Sequence, residues 1–161
     1  MLTEFNIGKK IIGNKNPIFI IAEIGINHNG NLEFAKKLID VAETAGADAV
    51  KFQSFIAKNL VTSTAKAALY QQNSDTNLKQ IKILEKAELG FDELKILKSY
   101  SENKGLIFLS TPFDLDSLKF LKKLDLDAYK ISSGDLTNPI LLNEIARIGK
   151  PILLSSGMAN I

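Results

Sequence analysis

The chain has 161 residues, 45% hydrophobic and 24% charged, which suits a globular domain with a core and excludes a disordered polymer. A balance of 20 basic and 18 acidic residues leaves a net charge of +2, so neither nucleic acid nor an anionic membrane is indicated as a partner. The lack of cysteine removes disulfides, thiolate nucleophiles and thiolate metal sites. With no apolar leader and no apolar run long enough to span a bilayer, a cytoplasmic protein is expected.

In chain order, FNIGKKIIG at 5–13 reads as a small hairpin. Near-continuous apolar runs at 18–24, 49–52, 106–109, 128–131 and 152–154 then predict five buried parallel strands. After the first of these, Ala35, Leu38, Ile39 and Ala42 share one helical face, Glu33 and Lys37 form an outer i,i+4 pair, and Gly46 is the stop. The polar stretch 54–88 is too long for a simple strand-to-helix connection. It predicts an excursion with a helix over 77–87, either serving a site or forming a surface insertion. A second main helix starts with Asp92 as N-cap and Phe91 and Ile96 as a hydrophobic staple, ending near Gly105. Asp114 caps a third through Lys123, and Asn138-Pro139 opens a fourth that runs to Gly149.

Strand–helix alternation leaves two main architectures, an open doubly wound sheet and a (β/α)8 barrel. The open sheet usually carries G-x-G-x-x-G after its first strand, whereas this chain has EIGINHNG there. A barrel instead distributes polar groups over many strand ends, and each run here ends in such groups. They are Glu23 with Asn27-His28, Lys51 with Gln53, Ser110-Thr111, Lys130 with Ser132-Ser133 and Asp135, and Ser155-Ser156. The fold class expected is therefore α/β, a (β/α)8 TIM barrel represented by its first five strands and four helices, preceded by the hairpin.

Strand parity sharpens the chemistry. Lys51 and Gln53 point to one face while Val50 and Phe52 point to the other, and Lys130 is set against Tyr129 and Ile131 in the same way. A lysine between apolar neighbours in a buried strand is costly unless a carboxylate or a bound anion receives it. One such lysine is as readily explained by an internal carboxylate such as Glu23. Two at matching strand ends, among Ser, Thr and Gly donors, favour a small ligand carrying carboxylate and phosphate. Glu23 reads as an ion-pair partner or a catalytic group, and Asp135 as a turn residue or a carboxylate aimed into the site. His28, the single histidine, reads as structural or solvent-facing, since one histidine makes no metal site alone. Asn29-Gly30 reads as the turn into the first helix, and Phe113 as packing.

The phrases IIAEIGINHNG, AVKFQ, FLSTPFD, YKISSGD and ILLSSGM, in this order and spacing, resemble the N-acetylneuraminate synthases. That group includes the legionaminic and pseudaminic acid synthases and related spore-coat polysaccharide enzymes. The resemblance implies a TIM barrel followed by a small antifreeze-like domain, in a domain-swapped homodimer. It implies metal-dependent attack of phosphoenolpyruvate C3 on the open-chain aldehyde of an N-acyl amino sugar, then water addition at C2 and loss of phosphate. By this resemblance Lys51 and Lys130 hold the carboxylate and phosphate of phosphoenolpyruvate, with Gln53, Thr111, Ser133 and Ser155 as neutral donors. Glu23 sits near the reacting centre. Asp135 stands where many relatives carry Glu in a Ser-Gly-Glu motif, a carboxylate that contacts the sugar and is a candidate proton donor. Here it is retracted by about one methylene.

The divalent metal (Mn or Mg) implied for the full-length enzyme is held by histidines on late strands, beyond Ile161, so no metal ligand is expected in this chain. Residues 1–161 are accordingly expected to be the N-terminal portion of the barrel without the antifreeze-like domain, a fragment inactive in isolation. A non-catalytic half-barrel or assembly module, and a phosphoenolpyruvate–aldose synthase of the 3-deoxy sugar-acid type, are the alternatives.

Overall fold

The computed structural model describes residues 4–67, 78–157 and 159–160. A hairpin comes first: β1 (Glu4–Ile7) pairs antiparallel with β2 (Lys10–Gly13) across a turn at Gly8. Five strands follow, β3 (Ile21–Gly25), β4 (Ala49–Ser54), β5 (Ile107–Pro112), β6 (Tyr129–Ile131) and β7 (Ile152–Leu154). β3–β4–β5 and β6–β7 form parallel ladders. β5 and β6 run side by side without a hydrogen-bonded ladder, so the single sheet expected is split in two.

The connections are helical. α1 (Leu32–Thr44) begins at Asn31, whose side chain accepts the Phe34 N–H, and ends in a Schellman turn in which Gly46 takes φ +77 and Ala47 N–H reaches the Ala42 carbonyl. Its outer charge pair is Glu33 with Lys36, one residue short of the Lys37 expected, because three-residue spacing brings this lysine onto the carboxylate at 2.7 Å. The excursion carries α2 (Ala57–Leu60) and α3 (Gln80–Ala87). The first residue of the helix expected there, Asn77, lies outside the described residues, as does the middle of the excursion.

α4 (Phe91–Asn103) starts earlier than Asp92 allows: Gly90 is the N-cap, and the Glu93 carboxylate takes the Gly90 N–H at 2.7 Å. Buried Leu89 and Leu94 then occupy the staple positions, while Phe91 stacks on Phe120 and Ile96 stays exposed. α5 (Leu115–Lys123) is capped by Asp114, and α6 (Pro139–Ala146) by Asn138, as their sequences indicate.

Alternation along the strands divides the core. Ala22, Ile24, Val50, Phe52, Phe108, Tyr129 and Ile131 face the helices and join Ile39, Leu94, Leu97, Leu118, Leu121, Leu141 and Ile145 in the main cluster. The opposite face has an apolar floor, Ala49, Leu109 and Ala128 with Ile21, Ile107 and Leu153, stopped by Ile7 and Ile12 of the hairpin. Above that floor the same face turns polar, which places Glu23, Lys51, Gln53, Thr111 and Lys130 together at the C-terminal strand ends. Among the described residues, no helix is long and apolar enough to cross a membrane.

Candidate functional site

Register builds the site. Glu23 lies opposite Lys51 in the β3–β4 ladder, and Gln53 opposite Thr111 in the β4–β5 ladder. Just beyond Glu23 the ladder slips, with Gly25 rather than Ile24 facing Phe52, and Gly25 takes φ +56 to make that bulge. The Lys51 ammonium meets both Glu23 oxygens, at 2.8 Å and 2.6 Å, and Thr111 Oγ1 lies 3.4 Å away. Lys51 is only 7% exposed, so this carboxylate is what makes a buried ammonium tolerable.

Lys130 is held differently. Its Nζ donates to Ser155 Oγ at 2.6 Å and to the Ile131 carbonyl, and among the described residues it has no carboxylate partner. Burial, and then repulsion from Lys51, hold its pKa below the ordinary lysine value, while Glu23 opposes that shift from a distance. Two ammonium groups thus stand on one half-enclosed face rimmed by hydroxyls, with the single carboxylate engaged by Lys51. Such an arrangement leaves one positive charge without an ion pair among the described residues and can receive an anion.

The other expected residues divide. Gln53 is half-buried, with its amide nitrogen beside Gly25, where an added Cβ would lie 3.6 Å from it and 3.5 Å from the Glu23 carboxylate. Ser133 opens a 3-10 turn, Ser133–Asp135, and is exposed, with its side chain beside Gly157. Asp135 is not brought to the lysines: its carboxylate accepts from Asn138 Nδ2 at 3.5 Å, and burial raises its pKa.

Residues 38–161 match the family model described as the NeuB family. The chain belongs to the NeuB family. It is 48% identical to the N,N'-diacetyllegionaminic acid synthase of Campylobacter jejuni over 143 residues, 88% of this chain and 43% of that protein. Identity to the synthase of the same name from Legionella pneumophila is 40%, over 96% of this chain and 44% of the relative. The crystal structure of a Leptospira borgpetersenii N-acetylneuraminic acid (sialic acid) synthetase, in complex with citrate, superposes with a TM-score of 0.82 at 36% identity, covering 98% of this chain and 50% of that one. The chain spans less than half the length of the curated relatives it matches.

Within this NeuB-family segment, two residues do more than their sequence suggested. Asp114 caps α5 through the Asp116 and Ser117 N–H groups and also accepts the Ile56 N–H at 2.9 Å, tying the start of the excursion to the end of β5. Glu88, at the far end of the excursion, accepts the Ala57 N–H at 2.7 Å. Between these pins, Phe55, Ala57, Ile81 and Ala87 pack with Ile26 and Phe113, so the described excursion lies against the ends of β3 and β5 beside the site. A carboxylate just after a strand was the available signal for Asp114; nothing local marked Glu88. His28, expected to be structural or solvent-facing, does not face solvent: it is buried, only 1% exposed. Among the described residues no group of three or more His, Cys, Asp or Glu side chains is placed to hold a metal ion.

Proposed function

We propose that this segment supplies the phosphoenolpyruvate-binding part of a sialic-type acid synthase. Such an enzyme condenses phosphoenolpyruvate with an N-acyl amino sugar and releases phosphate. The observation that carries the reading is the unbalanced pair of lysines, Lys51 neutralised by Glu23 and Lys130 with no carboxylate of its own among the described residues. A ligand with one carboxylate and one phosphate answers that imbalance. Lys130 with Ser155, and Lys51 with Thr111, supply charge-assisted and neutral donors from neighbouring strands. Held there, the ligand lies above the apolar floor, with Gln53 on the same face of β4.

Glu23 has a second use in this reading. With one face of its carboxylate on Lys51 and the rest open to solvent, it can accept a proton as charge redistributes during the condensation. Asp135, with its raised pKa, is suited to proton donation once a sugar spans the distance to it. No cluster among the described residues is placed to hold a divalent metal, so a metal used by the complete enzyme would be held by other residues. Closure of the free β3 edge into a (β/α)8 barrel, an antifreeze-like second domain, a homodimer and a cytoplasmic location belong to the same proposal. The β3 edge has no ladder partner among the described residues, as such closure requires.

The test is phosphate release from phosphoenolpyruvate by the gene product that carries this chain, with Mn²⁺ and a panel of N-acyl amino sugars. Release that depends on one of the sugars is expected, with Lys130→Ala lowering kcat/KM by about a hundredfold or more. No release with any sugar would sink the reading.

A further inference from the structure

His28 sits in the turn between β3 and α1, buried to 1% exposure, and it touches neither lysine. Its Nδ1 accepts the Gly30 N–H at 3.1 Å, which places the proton of the neutral ring on Nε2. That Nε2 makes no hydrogen bond of good geometry among the described residues, and the Gly25 carbonyl acts on the ring only as a nearby acceptor. The ring lies against Phe52, centroid to centroid 5.8 Å, and Phe52 is the residue paired with Gly25 at the bulge. Gly30, held by the other side of the ring, is pressed against α3 so closely that a Cβ would fall 2.3 Å from the Lys86 carbonyl. One side chain therefore links the bulge that follows Glu23, the turn into α1 and the docked end of the excursion.

We propose that His28 is a positioning residue for the Glu23–Lys51 pair, acting in its neutral form by clamping the turn that fixes the Gly25 bulge. The physical basis is that Nδ1 must remain an acceptor. Protonation would set an N–H against the Gly30 N–H and place a charge in an apolar pocket. Around the ring, β4 contributes only the Phe52 face; the Gly25 carbonyl of β3 and, from the first turn of α4, the Glu93 carboxylate favour the protonated form. Burial outweighs them and holds the pKa below the ordinary histidine value. The clamp is intact above that pKa and opens as pH falls through it.

The consequence for ligand binding rests on the function proposed above, but the clamp can be read without a ligand. As His28 is the single histidine, its imidazole nitrogens give unambiguous signals in long-range ¹H–¹⁵N spectra of the full 161-residue chain. A ring protonated on Nε2, titrating below 6.5, with the Gly30, Gly25, Glu23 and Lys51 amides following the same midpoint, is the expected result. His28→Asn keeps an acceptor near the Nδ1 position and cannot titrate. It should abolish that amide transition and keep phosphoenolpyruvate affinity within about threefold of the parent. His28→Phe keeps the ring against Phe52 and loses the acceptor; it should shift the same amides at neutral pH and weaken phosphoenolpyruvate about tenfold. A midpoint at or above 6.5, an Nδ1-protonated ring, or Glu23 and Lys51 amides indifferent to both variants would overturn the proposal. If the parent chain itself fails to bind phosphoenolpyruvate, the functional reading falls while the amide shifts still decide the role of His28.

Discussion

The Glu23–Lys51 pair makes an asymmetric prediction, because its two ends sit in different solvent. Lys51 is 7% exposed and the Glu23 side chain 56%. Glu23→Gln leaves a buried ammonium with a neutral amide in place of the carboxylate, Thr111 Oγ1 at 3.4 Å, and the repulsion of Lys130 unopposed. Removing one partner of a fully buried pair costs about 3–5 kcal/mol. Half-exposure of the carboxylate and the acceptor kept by Gln reduce that to about 1.5–3 kcal/mol here. Lys51→Met removes the charge from the buried end instead. The carboxylate left behind is solvated, the repulsion on Lys130 disappears, and an apolar side chain of similar reach takes a position opposite Leu109. That variant should stay within about 1 kcal/mol of the parent. The double variant should recover most of the loss caused by Glu23→Gln. Urea unfolding of the four proteins at pH 7, followed by far-ultraviolet circular dichroism with unchanged slopes, measures all three differences. A Lys51→Met variant as unstable as Glu23→Gln would refute the reasoning, since the cost would then lie in packing rather than in an unpaired charge.

Gly30→Ala should lose at least about 2 kcal/mol, because φ is +70 and the new Cβ would meet a backbone carbonyl, which cannot swing away as a side chain can; a change under about 0.5 kcal/mol in the same urea assay would mean that α3 is free to move aside. Ser54 and Ser110 share a buried hydroxyl–hydroxyl bond of 2.6 Å on the helix-facing side of β4 and β5. Each single alanine variant should cost about 1–3 kcal/mol by orphaning the other hydroxyl, and the double variant clearly less than their sum; additive losses would show that the two hydroxyls are not coupled. Asp135 has a raised pKa, so the folded state holds a proton that the unfolded state has already lost as pH rises above 3.8. Its destabilising effect is absent below 3.8 and complete above the folded pKa, so Asp135→Asn should be more stable than the parent at pH 7 and equal to it near pH 3. A gain that persists unchanged at pH 3 would trace to something other than the charge.

Much of the site was legible because strand parity is a local property. Lys51 and Gln53 two residues apart must share a face, and the apolar neighbours of Lys130 mark its strand as buried. Asp114 and Asn138 announced their helices for the same reason, since an N-cap acts within three residues. The boundaries that moved did so where two local signals competed. Asp92 was an adequate cap by itself, but the Glu93 carboxylate three residues after Gly90 accepts the Gly90 N–H, and the buried Leu89 and Leu94 favoured that start.

What parity cannot report is which face neighbour in another strand comes opposite. Glu23 was readable as an ion-pair partner or a catalytic group, and choosing requires the register of β3 on β4. Register in turn depends on the bulge at Gly25 and on whatever holds the turn after it. His28 looked ordinary in sequence because its importance is relational: it packs on Phe52 from another strand and bonds to a glycine pressed on another helix. The division of labour follows from this. The charges that face a ligand are written at the strand ends, while the residues that set those charges at the correct distance stand one turn away and face inward, where burial hides their role. A substitution there should leave the charge count of the site unchanged and still alter the geometry that gives the charges their effect.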